Sequence, residues 1–175
     1  GLKADIAVSD DVSLMLGVLN STDATEAQPV GDDYMFGAQL GLYGQYINLL
    51  TGQGATQLDF TGGVDITDSF FLGVNATTYE DDTIEFSGVA LYPQYAFSDT
   101  FALGARYEAF TENGALGAFG DGDNTSFTIT GSLTSGSMTI KPEFRIDSAS
   151  DKFYTDADGA TDSLSSFVLA AIYSF

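Results

Sequence analysis

The chain predicts an antiparallel transmembrane β-barrel, and three observations carry that expectation. Apolar residues alternate with small or polar ones at a period of two through most of the 175 residues. No apolar run approaches the roughly 18 consecutive residues that a membrane-spanning helix requires, so if the chain crosses a bilayer it does so as strands. Tight turns alternate with longer, more acidic loops, which is the two-rim asymmetry of outer-membrane barrels.

The alternation is read element by element. Ala4, Ile6 and Val8 share one side of the first segment, and Val12, Leu14, Leu16 and Val18 one side of the second. Phe36 to Leu42, Leu58 to Ile66, Phe70 to Ala76, Phe101 to Tyr107 and Phe127 to Leu133 repeat the pattern. The clearest segment sets Met138, Ile140, Pro142, Phe144 and Ile146 against Thr139, Lys141, Glu143, Arg145 and Asp147. The side opposite the apolar one is dominated by Gly, Ala, Ser, Thr and Asn with a few charges. Small side chains suit a confined, curved interior, whereas the polar face of a soluble sandwich carries many Lys, Glu and Thr.

Ser9-Asp10-Asp11, Thr67-Asp68-Ser69, Ser98-Asp99-Thr100 and Thr134 to Ser137 read as tight turns, with a weaker one at Gly44-Gln45. Ser21 to Asp33, Glu80 to Thr83, Glu112 to Thr125 and Ser148 to Ser163 read as the longer loops of the other rim. The count is about eleven strands, within a range of about 10–12, in a single domain over 1–175. Single-chain bacterial barrels have even counts. An odd one implies either a strand merged or missed near Tyr43 to Leu50, or a chain that is the carboxy-terminal part of a larger barrel lacking amino-terminal strands. Pro93 predicts a bulge or an edge within 84–97.

Composition excludes several function classes. With neither cysteine nor histidine, disulfides, thiolate or imidazole metal sites and the Ser-His-Asp triad cannot be built, so no enzyme is expected. Five basic residues against 25 acidic ones give a formal charge of −20, which repels phosphate backbones and argues against nucleic acid.

Two constellations could carry chemistry. Lys141, Glu143, Arg145 and Asp147 fall on one face of one strand, and Arg106 with Glu108 repeat the arrangement on another. Since their neighbours are apolar, these charges point into the lumen, either as an ion-pair network that rigidifies the barrel or as a constriction that selects solutes. Asp156, Asp158 and Asp162 alternate around glycine as calcium-loop carboxylates do, and Asp121 to Asn124 does likewise. Neither has a closing glutamate, so solvated acidic loops compete with a loop-bound divalent cation, and no other cofactor is expected. Tyr34, Tyr79, Tyr92, Tyr95, Tyr107 and Tyr173, several of them near expected strand ends, suggest interfacial aromatic girdles, with plain packing inside the protein as the competing reading for any one of them.

Phe167, Leu169, Tyr173 and Phe175 share one face of the last segment, and the sequence stops at the aromatic Phe175. Met138 to Ser150 (MTIKPEFRIDSAS), Asp156 to Gly159 (DADG) and Ser165 to Phe175 (SSFVLAAIYSF) resemble the OmpL-like outer-membrane β-barrel porin family. More loosely, Val12 to Asn20 (VSLMLGVLN) and Phe101 to Glu108 (FALGARYE) look like its repeated hairpins. The resemblance implies a Gram-negative outer membrane, with lipid around the barrel and a last strand recognised by the barrel-assembly machinery.

The expected function is passive diffusion of small polar solutes or ions through an acidic, weakly cation-preferring lumen, with oligomerisation left open. The alternatives are a structural or adhesive barrel with a plugged lumen and a soluble β-sandwich binding module.

Overall fold

A computed structural model describes residues 1–20, 34–114 and 121–175. The strands are β1 (Leu2–Ala7), β2 (Val12–Asn20), β3 (Tyr34–Leu42), β4 (Gln45–Gly52), β5 (Ala55–Thr67), β6 (Phe70–Glu80) and β7 (Ile84–Ser98). They continue as β8 (Phe101–Gly114), β9 (Gly122–Ser135), β10 (Met138–Ala149), β11 (Tyr154–Asp156), β12 (Gly159–Thr161) and β13 (Ser163–Tyr173). Eleven of them form one antiparallel sheet in the order β1 to β10 and then β13, while β11 and β12 form a separate hairpin. The architecture is that of an antiparallel β-barrel, and the edge strands β1 and β13 run in the same direction.

One rim carries the five tight connections, each fixed by local chemistry. Thr67 Oγ1 accepts the amides of Ser69 and Phe70, and Ser98 Oγ accepts those of Thr100 and Phe101, so two turns share one hydroxyl-capped design. Each is preceded by a register shift, Asp65/Thr67 and Ala96/Ser98, that absorbs an extra residue. Between β3 and β4 the turn is Tyr43-Gly44, one residue earlier than the spacing suggests, with φ of 51° and 77° at its two positions. Paired positive φ is the I′ geometry that matches strand twist.

The opposite rim differs from expectation in several places. β4 and β5 are joined by only Gln53-Gly54, a second positive-φ pair at 55° and 79°. Residues 45–52 form β4, bounded at both ends by Xaa-Gly turns, and with it the main sheet has eleven strands among the described residues, so no twelfth strand is found near 43–50. The predicted loop at 21–33 lies outside the described residues, as does 115–120. Residues 112–114 and 122–125, expected as loop, extend β8 and β9. The predicted loop from Ser148 to Ser163 contains the β11–β12 hairpin, whose three-residue strands are too short to show a period.

The bulge expected within 84–97 falls at Phe97, between Ala96 and Ser98, and not at Pro93. Pro93 lies inside β7 between two neighbours, with unbroken register from Leu91–Tyr107 to Gln94–Gly104. Pro142 lies the same way inside β10. Each removes a single ladder donor without shifting the strand.

Side chains segregate by face in the sense opposite to a soluble protein. Among the described residues the six least exposed side chains are Met35, Ala90, Glu112, Asn124, Ser126 and Thr128, all on one side of the sheet, and four of them are polar. The other side presents Leu16, Phe36, Leu58, Val64, Leu91, Phe127, Phe144 and Leu169 outward. Among the described residues no charge interrupts that apolar band. Glu80, Glu85 and Asp123, the charges on its side, sit at strand ends on the long-loop rim, above a collar of Thr51, Thr56, Thr78, Ser87 and Thr111. From Leu58 to Ile66 the band runs about 26 Å along β5, or roughly 20 Å across a bilayer once the strand tilts.

The parity rule gives a direct test. Leu91→Arg places a guanidinium in lipid and is expected to lower unfolding stability in vesicles by about 2–4 kcal/mol. Gln94→Arg, three residues on and inward-facing, is expected to cost well under half of that. Equal losses in urea titrations would show that the two faces share one environment.

Candidate functional site

The inner wall is built from positions whose backbone parity turns them away from the apolar band. On β8, β9 and β10 these include Arg106 and Glu108, then Ser126, Thr128 and Thr130, then Lys141, Glu143, Arg145 and Asp147. All six charges expected inside therefore share one side of the sheet, on β8 and β10 with β9 between them. Residue spacing along a strand supplies one component of this grouping, and ladder register supplies the other.

Arg145 grips Asp147 with Nε 2.9 Å from both carboxylate oxygens and Nη2 2.7 Å from Oδ1. Ser126 donates its hydroxyl to the same carboxylate and accepts from Arg145 Nη2 at 3.1 Å. Arg106 pairs with Glu108, and its guanidinium carbon stands 5.6 Å from the centre of the Tyr92 ring. Each arginine is thus neutralised two residues along its own strand. Lys141 and Glu143 are in no ion pair among the described residues, although Glu143 accepts the Thr130 hydroxyl at 2.7 Å. With Tyr92, Arg106, Thr128, Thr130 and Phe71 they line a cavity of about 530 Å³ on the concave wall between β6 and β13. Phe71 lies flat across Gly63, where a Cβ would meet its ring at 2.3 Å, so only glycine lets it fold against the wall.

A second polar band crosses β3 to β6. Gln39 Nε2 donates to Asn48 Oδ1 at 2.7 Å, Asn48 Nδ2 to Asp59 Oδ1 at 2.7 Å, and Asn75 Nδ2 to Asp59 Oδ2 at 2.8 Å. The carboxylate collects donors from both neighbouring strands, and charge-assisted bonds of this kind are the stronger class. Alternation alone gave no reason to single out these four positions.

At the long-loop rim, Asp81 accepts the Tyr79 hydroxyl at 2.7 Å, the Thr83 and Ile84 amides at 2.7 and 2.8 Å, and the Thr83 hydroxyl at 2.9 Å. These donors hold its carboxyl down to about 2, the Tyr79 hydroxyl first among them. Tyr154, on the β11–β12 hairpin, donates to Asn124 Oδ1 at 3.2 Å. Burial and then the Asp147 carboxylate push the Tyr154 hydroxyl above the ordinary tyrosine range. Glu112 is 1% exposed, and its Oε1 has no hydrogen-bond partner among the described residues.

In the acidic loops, Asp156 Oδ1 accepts the Asp158 amide at 2.8 Å, closing the hairpin turn. Asp121 accepts the Gly114 amide at 2.6 Å and Asp123 the Thr111 hydroxyl at 2.7 Å. Among the described residues no three acidic side chains stand close enough together to hold a metal ion, Asp156, Asp158 and Asp162 included.

Against this geometry, the family model described as "Putative beta-barrel porin-2, OmpL-like" matches residues 1–175, the whole chain. The chain belongs to that porin family. Comparison with curated proteins and with solved structures gives no match. Membership accounts for the apolar belt and the polar wall together, since an outer-membrane porin has lipid outside and a solute path inside. The fold of this porin points to a non-enzymatic channel.

Two tyrosines grouped with the girdle belong instead to the porin wall. Tyr79 and Tyr92 face inward, Tyr92 against Arg106, because both have the parity of Asn75 and Ala90. Tyr34, Tyr95, Tyr107 and Tyr173 face outward. Tyrosine supplies a polar tip and an apolar body for either setting, so residue type alone could not separate them.

Two outcomes test the wall. Asp147→Ala leaves Arg145 and Ser126 without their shared acceptor and is expected to cost about 1–3 kcal/mol in urea unfolding, with Asp147→Ala/Arg145→Ala recovering part of it. No recovery would show that the pair is not coupled. Because the folded-state pKa of Asp81 is depressed, its contribution is present above the unfolded value near 4 and is lost as pH falls through about 2. Carboxyl NMR in micelles should find that titration, and an ordinary midpoint would contradict the turn geometry.

Proposed function

We propose that this chain forms a passive diffusion channel for small polar solutes and ions in the outer membrane of a Gram-negative bacterium, with a weak preference for cations. The supporting observation is the wall itself, polar, charged and hollowed around Lys141, Glu143 and Arg106, behind an uninterrupted apolar belt. Among the described strands, the inner side carries seven carboxylates (Asp5, Asp59, Asp65, Glu108, Glu112, Glu143 and Asp147) against four cations (Lys3, Arg106, Lys141 and Arg145). Fixed charge of that sign favours cations in a water-filled path without binding them tightly. Lys141, Glu143, Arg145, Asp147, Arg106 and Glu108 form the selective stretch, and no cofactor takes part.

Phe167, Leu169, Tyr173 and Phe175 act at an earlier stage. Phe167, Leu169 and Tyr173 present an aromatic and aliphatic row on the lipid side of edge strand β13, with Phe175 exposed just beyond its end, where the barrel-assembly machinery would read them before insertion. A second reading, a structural barrel with a filled lumen, draws support from the Gln39–Asn48–Asp59–Asn75 network, which ties four strands together from inside.

Planar-bilayer recording on the refolded chain separates the two. The channel reading expects stable conductance and a reversal potential of cation-selective sign across a potassium chloride gradient, moved toward zero by Asp59→Asn. Absence of conductance in every salt, from protein whose gel mobility shows it folded, would favour the filled barrel.

A further inference from the structure

We propose that Tyr154, carried inward by the β11–β12 hairpin, narrows the loop-side mouth of this channel and sets the largest solute that passes. The inference rests on the channel reading and adds a size-determining residue to it.

The hairpin is fastened to the wall at its base. The Ser150 amide donates to the Asp123 carbonyl at 2.8 Å and the Asp123 amide donates to Ser150 Oγ at 3.1 Å, so the chain leaving β10 is tied to β9. On the returning side the Ala149 amide donates to the Asp162 carbonyl at 2.8 Å. The turn is closed by Asp156 on the Asp158 amide, and Thr161 Oγ1 accepts the Ser163 amide at 3.3 Å. A connection held at both feet and at its tip presents its side chains in fixed directions.

Tyr154 points toward the lumen. Its acceptor Asn124 is an inner-wall residue of β9, opposite Phe110 on β8 and Ala149 on β10, and only 7% exposed. The next inner position on β9 is Ser126, which belongs to the Arg145–Asp147 cluster. The Tyr154 hydroxyl also lies within the field of both Asp147 and Arg145. A ring reaching from the rim to Asn124 therefore stands directly above the charged pair, and Phe153 packs edge-on against it with centroids 5.3 Å apart. A solute entering from the loop side meets this ring before it meets the charges. The hydroxyl remains a proton donor at neutral pH, so the bond to the Asn124 carbonyl oxygen holds in the working state.

Because the chain has no cysteine, Tyr154→Cys creates a single thiol. Unitary conductance of the full refolded chain in planar bilayers, together with the size cut-off for neutral polyethylene glycols, is compared among wild type, Tyr154→Ala, Tyr154→Phe and Tyr154→Cys. Tyr154→Ala is expected to raise conductance by about 1.5-fold or more and to admit larger polymers, since a constriction dominates the resistance of a pore. Tyr154→Phe, which keeps the ring and loses the latch, should fall between the two. A charged methanethiosulfonate reagent should reduce current through Tyr154→Cys and leave wild type unchanged. If wild type conducts while Tyr154→Ala has the same conductance and cut-off and thiol modification is silent, the inference is overturned and the channel reading stands. If wild type and every variant are folded but closed, both are overturned. Conductance appearing only in Tyr154→Ala supports the inference. Should Tyr154→Ala fail to fold, the phenylalanine and cysteine variants give the same comparison.

Discussion

Backbone pairing governs this molecule more than any side-chain contact. In hydrocarbon an unpaired amide or carbonyl costs several kcal/mol, so each strand between the rims must be bonded along its length to its neighbours. Once that ladder exists, the period of two leaves no freedom, and a residue faces lipid or lumen according to its parity. A one-residue slip would send Arg145 into lipid and Phe144 inside. The two strand prolines fit the same accounting, because each removes one donor while the paired positions on either side keep the register.

Electrostatics on the inner wall work at short range within strands and at longer range across them. Arg106 and Arg145 are each satisfied by a carboxylate two residues away, which fixes their geometry and cancels their charge locally. Lys141 and Glu143 are left to face the hollow. The amide network around Asp59 holds the opposite part of the sheet rigid without adding positive charge.

The two rims have different tasks. The tight-turn rim is made of hydroxyl-capped and positive-φ turns that hold successive strands in register. The other rim carries the Asp81-centred turn and the hairpin that brings Tyr154 over Asn124. Three of its acidic side chains, Asp156, Asp121 and Asp81, each accept a backbone amide.

Much of this was legible in the amino-acid order. Periodicity fixes which side of each strand is apolar, and Thr-Asp-Ser-Phe and Ser-Asp-Thr-Phe announce their turns because the needed hydroxyl and amides are local. The inward placement of Lys141, Glu143, Arg145 and Asp147 follows from the same local rule. Tertiary structure decided what depends on neighbouring strands. It put Ser126 beside Asp147, Tyr92 beside Arg106 and Asn48 between Gln39 and Asp59, and it folded the Tyr154 hairpin inward. The contacts among the sheet strands join residues up to 21 positions apart through ladder register, and register belongs to a pair of strands, so no single segment encodes it.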